Sequence, residues 1–180
     1  MAAKKLHAYF VLYRELLISK NLLHTEKKVP LQEILNMKKI AIGNDHAGTL
    51  YKWEVIKYLE NLNYQVVNFG TNTEESMDYP DTIHLVAKSV NDAEVDLGII
   101  ICGSGNGAQI TANKHQNVRA ALCWNNELVE LSRLHNNANI LSIPARFVSL
   151  QEALGFVKLF LETKFEGGRH QSRVCKIPIN

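Results

Sequence analysis

Cys102 ends the apolar run Leu97-Gly-Ile-Ile-Ile-Cys102, and glycines follow it at Gly103, Gly105 and Gly107. A β-branched run of this length reads as a strand buried on both faces. The alternate glycines let the backbone turn sharply and bring its N–H groups close to a ligand. The next segment, Ala108 to Lys114, reads as a helix, so those N–H groups are expected to form an anion site at its N-terminus. A positive field favours thiolate, which makes Cys102 a candidate base or nucleophile. The same pattern also suits a structural cysteine buried before a glycine-rich turn.

Other groupings offer chemistry of their own. Asn44-Asp-His-Ala-Gly48 sets a carboxylate, Asp45, and an imidazole, His46, in one short loop. Asp45 equally suits a helix cap, and His46 an exposed helix start. His135 and Asn136 end a helical stretch, which is expected to place them near the C-terminal edge of the domain. A histidine there also simply complements the helix dipole. Arg169 and Arg173 stand four apart, on one face if the tail is helical. Two planar guanidinium forks suit a phosphate, and a solvated basic tail has the same composition.

These groups need a scaffold, and from Lys38 onward the sequence alternates between strand and helix patterns. The expected strands are Lys39–Gly43, Gln65–Phe69, Leu97–Cys102, Val118–Cys123 and Asn139–Ile143. The expected helices are Thr49–Leu62, Pro80–Asn91, Gly107–Lys114, Asn126–His135 and Ser149–Thr163. Pro80 suits a first helical turn, and Ser149 with Glu152 forms a capping-box pattern. Strand then helix, repeated, predicts an α/β fold: a three-layer α/β/α sandwich with a five-stranded parallel sheet, Rossmann-like. In such sheets ligands bind at the carboxyl ends of strands where the strand order reverses. If the first and third strands are neighbours, Asp45 and His46 lie beside Cys102.

Composition narrows the function classes. The chain has 180 residues and a formal charge of +2, with Lys and Arg scattered along it, which argues against nucleic acid as a partner. Its cysteines, Cys102, Cys123 and Cys175, form no C-x-x-C pair or Cys/His ligand cluster. Neither a disulfide framework nor a structural metal is expected, and a reducing cytoplasm is the natural compartment. No apolar run approaches 18 residues, so no membrane span is expected. Residues 1–36 fall outside the strand–helix alternation. Their apolar positions Leu6, Tyr9, Phe10, Tyr13, Leu16 and Leu17 recur at helical spacing, so this N-terminal extension is expected to be helical. Gly103 to Ala108 also matches G-x-G-x-x-A, the dinucleotide fingerprint. It follows the third strand instead of the first, however, and no acidic residue ends the next strand, so a nucleotide cofactor is not expected.

Taken together, the motifs resemble type B ribose-5-phosphate isomerases, of the family that also holds galactose-6-phosphate isomerase subunits. The resemblance spans residues 37–180 and rests on Gly43-Asn-Asp-His-Ala-Gly48, Met77-Asp-Tyr-Pro-Asp81, Ile101-Cys-Gly-Ser-Gly-Asn-Gly107, Ala112-Asn-Lys114, Arg119-Ala-Ala-Leu-Cys123, His135-Asn136 and Phe165-Glu-Gly-Gly-Arg-His170. Departures are Asn44 where Cys or Ser is frequent, Ser104 for Thr, Asn137 for Asp and Pro144 for Gly. The resemblance implies aldose–ketose isomerisation of a sugar phosphate through a cis-enediolate, with no metal and no cofactor. It implies Cys102 as base, with Ser104 and the N–H groups from Gly103 through Gly105 and Asn106 to Gly107 around the oxyanion. His135 takes the ring-opening role with Asp45 assisting. His46, Arg169 and Arg173, joined by Arg146, form the phosphate clamp, and Tyr79 and Asn136 line the sugar. It further implies a homodimer or tetramer with sites shared between subunits, His135 coming from the other chain. Six-carbon sugar phosphates and a non-catalytic sugar-phosphate-binding subunit are the alternatives. Retention of both Cys102 and His135 favours the enzyme.

Because the strand–helix pattern is complete without residues 1–36, a chain starting at Met37 is expected to fold. Circular dichroism and thermal melting of the truncated chain check this. A truncated chain without a cooperative melt would place the extension in the core.

Overall fold

A computed structural model describes residues 38–179. The expected N-terminal helix lies outside the described residues. The sheet contains β1 (Lys39–Asn44), β2 (Gln65–Asn68), β3 (Leu97–Cys102), β4 (Ala120–Leu122) and β5 (Ile140–Pro144). All are parallel, in the order β2-β1-β3-β5-β4. The helices are α1 (Thr49–Asn61), α2 (Tyr79–Asn91), α3 (Asn106–Ala112), α4 (Asn126–Asn136), α5 (Leu150–Glu162) and α6 (Arg169–Val174). A single 3-10 turn, His46–Gly48, joins β1 to α1. Among the described residues, no helix is long and apolar enough to cross a membrane.

Side-chain alternation along the strands builds two cores. Ile40, Ile42, Ile99, Ile101, Leu141 and Ile143 face one side, where Val55 and Leu59 of α1, Val129 of α4 and Phe156 and Phe160 of α5 cover them. Ala41, Ile100, Cys102 and Ile140 face the other, against Ile83 and Val86 of α2 and Ala108 and Ala112 of α3. Each large apolar side chain fully buried this way contributes roughly 1.5–3 kcal/mol. The caps follow the sequence signals. Pro80 sits in the first turn of α2. Ser149 and Glu152 form the capping box of α5.

β4 is shorter than the expected Val118–Cys123, and at its start a side chain competes with the ladder. The Arg119 N–H donates to Asn139 Oδ1 at 2.7 Å instead of entering the ladder. Asn113 then treats Ala120 as a strand would, its Oδ1 accepting from the Ala120 N–H at 2.7 Å and its Nδ2 donating to the Ala120 carbonyl at 2.9 Å. Behind β2, Lys52 is fully buried, with no carboxylate partner among the described residues. Its ammonium donates to the Thr71 carbonyl and to Asn72 Oδ1, both at 2.6 Å, which fastens the loop leading toward α2. Burial lowers its pKa from the ordinary lysine value.

The chain leaves β1 for β2 and returns across it to β3, so the order reverses between β1 and β3. Their register pairs Ile40 with Leu97 and Asn44 with Ile101. The 3-10 turn after β1 lies tight against β3: a Cβ at Gly48 would stand 2.7 Å from the Ile101 carbonyl oxygen. Gly48→Ala is expected to destabilise the fold by about 1–3 kcal/mol, because backbone has to move. Gly155→Ala, in mid-α5 with nothing within 4 Å of its added Cβ, is expected to stabilise by roughly 0.5–1 kcal/mol. Urea titration of both variants tests this pair of opposite signs.

Candidate active site

Register carries the first contact. With Asn44 opposite Ile101, the next residue on each strand is Asp45 and Cys102. The Asp45 N–H donates to the Ile101 carbonyl at 3.1 Å, extending the ladder by one bond. The Cys102 thiol donates to Asp45 Oδ2 at 2.9 Å, within the buried crevice. The other carboxylate oxygen, Oδ1, accepts from the Ala47 N–H at 2.9 Å. Asp45 is therefore both the cap of the 3-10 turn and the partner of the thiol.

The expectation that the surroundings of Cys102 favour thiolate is corrected here. Burial first, then the Asp45 carboxylate, push the thiol up to about 11. The backbone N–H groups of Gly105 and Gly103 pull the other way, and they are outweighed; the Gly103 N–H itself donates to Asp45 Oδ2 at 3.4 Å. A neighbouring carboxylate disfavours a second negative charge more than two backbone dipoles favour it.

The loop after Cys102 is shaped by close approach. Gly105 has φ 74°, and a Cβ there would meet Leu122 Cδ1 at 2.5 Å. Ser142 Oγ donates to its carbonyl at 3.0 Å. The Tyr79 ring covers Gly107, where a Cβ would lie 2.6 Å from the phenol oxygen. Arg146 lays its guanidinium along Gly103, with Cζ 3.2 Å from a Cβ built there, and the Arg146 backbone N–H donates to the Gly103 carbonyl at 3.0 Å. Ser104 and Asn106 are exposed at the rim of an open pocket of ≈510 Å³, which Leu122, Trp124, Pro144 and Phe147 complete. His46, on the 3-10 turn, has a buried Nδ1 with no hydrogen-bond partner among the described residues.

Asn44 is a residue whose role the sequence reading missed. It is fully buried, and its Nδ2 donates to the Asp45 carbonyl at 2.7 Å and to Thr49 Oγ1 at 3.1 Å. Thr49 in turn donates to the Thr73 carbonyl at 2.8 Å. The amide so ties the backbone under Asp45 to the loop before α2. Its departure from the smaller residues frequent at this position was the available signal.

His135, Asn136, Arg169 and Arg173 are not brought to Cys102. A helix that crosses back over a parallel sheet must end where the next strand begins, so α4 delivers His135 and Asn136 to the amino edge of β5. The expectation of a C-terminal edge is thereby corrected. Cys102 pairs with Pro144 at the far end of that strand. The run from Ile140 to Pro144 alone separates the two edges by about 13 Å. Asn136 borders a separate groove of ≈470 Å³ along β4, with Arg119 and Cys123. His135 instead meets the tail. Its ring stacks on His170, centroids 4.1 Å apart and 5° from parallel, and its Nε2 is 3.7 Å from Glu166 Oε2. Arg169 and Arg173 follow on α6, both exposed.

Donor atoms of His135, Glu166 and His170 lie within 4.8 Å of one another. Lone pairs of two parallel stacked rings do not converge on one point, and Arg169 Nε donates to His170 Nε2 at 3.3 Å. The cluster is thus poorly built for a metal ion.

Residues 40–177 match the profile of the ribose/galactose isomerase family. The chain belongs to this family. As a family member it is an isomerase, and the crevice between β1 and β3 is the kind of place where open parallel sheets in general bind ligands. Ribose-5-phosphate isomerase B of Escherichia coli K12 is 44% identical over 138 residues, covering 77% of this chain and 93% of that one. Among solved structures, ribose-5-phosphate isomerase B of Clostridium thermocellum superposes with a TM-score of 0.76 at 47% identity, over 77% of this chain and 94% of the other. The Mycoplasma genitalium enzyme, solved with bound ribulose-5-phosphate, gives 0.76 at 41% identity, over 79% and 95%.

The Cys102–Asp45 contact makes an expectation about reactivity. With the carboxylate removed, the thiol's pKa falls toward its ordinary 9.0 and more thiolate is present at pH 8. Asp45→Asn is expected to speed alkylation of Cys102 by iodoacetamide, about tenfold for each pH unit by which the pKa falls. Peptide mass mapping separates Cys102 from Cys123 and Cys175. Slower or unchanged alkylation would show that Asp45 does not hold the thiol protonated.

Proposed function

We propose that the chain interconverts ribose 5-phosphate and ribulose 5-phosphate through a cis-enediolate, with Cys102 as the base. The observation that carries this reading is the Cys102 thiol donating to Asp45 Oδ2 beside the glycine loop. The names of the relatives supply the substrate, and the residues supply a use for each part of it. No step calls on a metal or a nucleotide.

Deprotonation at C2 needs thiolate, so the proton on Sγ must first leave. Asp45 Oδ2, at 2.9 Å, is its acceptor. The thiolate then takes the C2 proton. The C2–H electron pair becomes the C1–C2 double bond, and the carbonyl pair moves onto O1. The loop N–H groups from Gly103 to Gly107, with Ser104, hold that developing oxyanion, and each donor in such a site is typically worth about 100-fold to 1,000-fold in rate. Return of the proton from Cys102 to C1, with the O2 proton passing to O1, gives the ketose.

His46 and Arg146, beside the crevice, and Arg169 and Arg173, at the opposite edge, suit the phosphate as two halves of one clamp. His135 and Asn136 likewise suit the sugar only from a second copy of the chain, since their own Cys102 lies across the sheet. Tyr79 lines the sugar from the crevice side. Trp124 and Phe147 are 54% and 73% exposed around the open pocket, an apolar rim suited to a subunit contact.

A coupled assay with ribose 5-phosphate, allose 6-phosphate and galactose 6-phosphate tests the substrate; the highest kcat/KM is expected for the pentose. Mixing tests the shared site. Cys102→Ala and His135→Ala proteins are each expected to be inactive, and exchanged subunits to recover about one quarter of wild-type activity. Half of randomly formed dimers are mixed, and half of their sites carry neither lesion. Demonstrated exchange with no recovery would place both residues in one chain's site.

A further inference from the structure

His135 is held by two neighbours that the reaction scheme does not use. Glu166 and His170 flank the pair Gly167 and Gly168, whose φ values of 71° and 53° turn the chain back toward α4. The Glu166 N–H donates to the Leu134 carbonyl at 3.1 Å, which anchors this turn one residue from His135. Glu166 Oε2 then lies 3.7 Å from His135 Nε2, and the His170 ring lies flat against the His135 ring at 4.1 Å. One side chain faces the edge of the imidazole and the other covers its face.

The hydrogen bond from Arg169 decides the state of His170. A guanidinium only donates, so His170 Nε2, 3.3 Å from Arg169 Nε, must present its lone pair. His170 is therefore neutral, with its proton on Nδ1. It is 5% exposed, and burial, His135 and Arg169 all lower its pKa from the ordinary histidine value. A neutral ring does not repel a proton on His135, whereas a second imidazolium at this distance would. A positive His135 would find an uncharged π face beneath it and a carboxylate at its edge.

We infer that Glu166 and His170 are positioning residues for ring opening, fixing the plane of His135 and giving its protonated form a partner while it exchanges protons with the sugar. This rests on the reading of His135 as the ring-opening group. In that step the furanose C1–O4 bond breaks with its electron pair on O4, which gains a proton, and the O1 hydroxyl loses one as the C1 carbonyl forms. His135 must donate and recover a proton within a turnover, so both of its charge states need a defined orientation. The same tail segment presents Arg169 and Arg173 for the phosphate, which joins the two tasks in one turn of chain.

Ring opening can be read separately from the enediolate chemistry. Ribulose 5-phosphate has its O5 esterified and cannot close a furanose, so exchange of its C1 hydrogen with solvent deuterium needs only the enediolate step. For Glu166→Gln and His170→Ala, turnover of ribose 5-phosphate is expected to fall at least about tenfold, as for loss of a group that aids proton transfer. Deuterium exchange into ribulose 5-phosphate, followed by NMR, is expected to stay within about twofold of wild type, because the enediolate machinery is untouched. His170→Phe keeps a flat uncharged face and is expected to restore most of the turnover. Parallel loss of both readouts, or no loss in either, overturns the proposal. Glu166→Gln, at an exposed position, keeps the test open should His170→Ala fail to fold. His135→Ala reports on the underlying reading: if it spares turnover of the aldose, the ring-opening role of His135 falls, independently of its neighbours.

Discussion

Everything at the crevice depends on the pairing of β1 with β3. Asn44 opposite Ile101 puts Asp45 and Cys102 one residue beyond the last paired positions, where their side chains meet. A shift of one residue would turn every side chain of the strand to the opposite face. Ile40 and Ile42 would then exchange cores with Ala41, so the packing that specifies the register also specifies the contact. The short loop after each strand leaves little freedom to repair an error. Hydrophobic alternation in the strand interiors thus sets a distance between two polar atoms at their ends.

That contact has a chemical cost. A carboxylate beside a buried thiol makes the thiolate harder to form, and once formed a stronger base. The N–H groups of Gly103 and Gly105 moderate the effect without reversing it. A base meant to remove a carbon-bound proton gains from high basicity, provided that a partner takes its own proton. In the proposed reaction Asp45 is that partner, and the Asn44 amide beneath it and the Ala47 N–H beside it limit where its carboxylate can go.

Much of this architecture was legible in the residues. The β-branched runs at Lys39–Gly43 and Leu97–Cys102, the Ser149–Glu152 cap and Pro80 each acted through local physics, and the strands and helices formed where that physics put them. The convergence of Asp45 with Cys102 was legible once those strands were taken as neighbours. The protonation of Cys102 was not, because it depends on how burial and one carboxylate weigh against two dipoles, and spacing carries no such weights. The edge that receives His135 was misread from its place at a helix end, although the return of a helix across a parallel sheet determines it. Glu166 and His170 escaped notice because their partner, His135, is distant in sequence, and only the turn at Gly167 and Gly168 closes that gap.

Asn113 has a consequence for how copies of this protein can meet. An edge strand normally offers a row of free N–H and C=O groups to any other strand. Here a side-chain amide with the geometry of a peptide bond already occupies both groups of Ala120, and the Gln109 amide adds a further bond to its carbonyl at 3.2 Å. The sheet is in effect terminated by its own helix. Extension into a continuous intermolecular sheet through the middle of β4 would first require those amides to be displaced. The protein is therefore resistant at this edge to the strand-by-strand growth that seeds fibrils, and encounters there are left to side-chain surfaces, where shape and charge discriminate between partners.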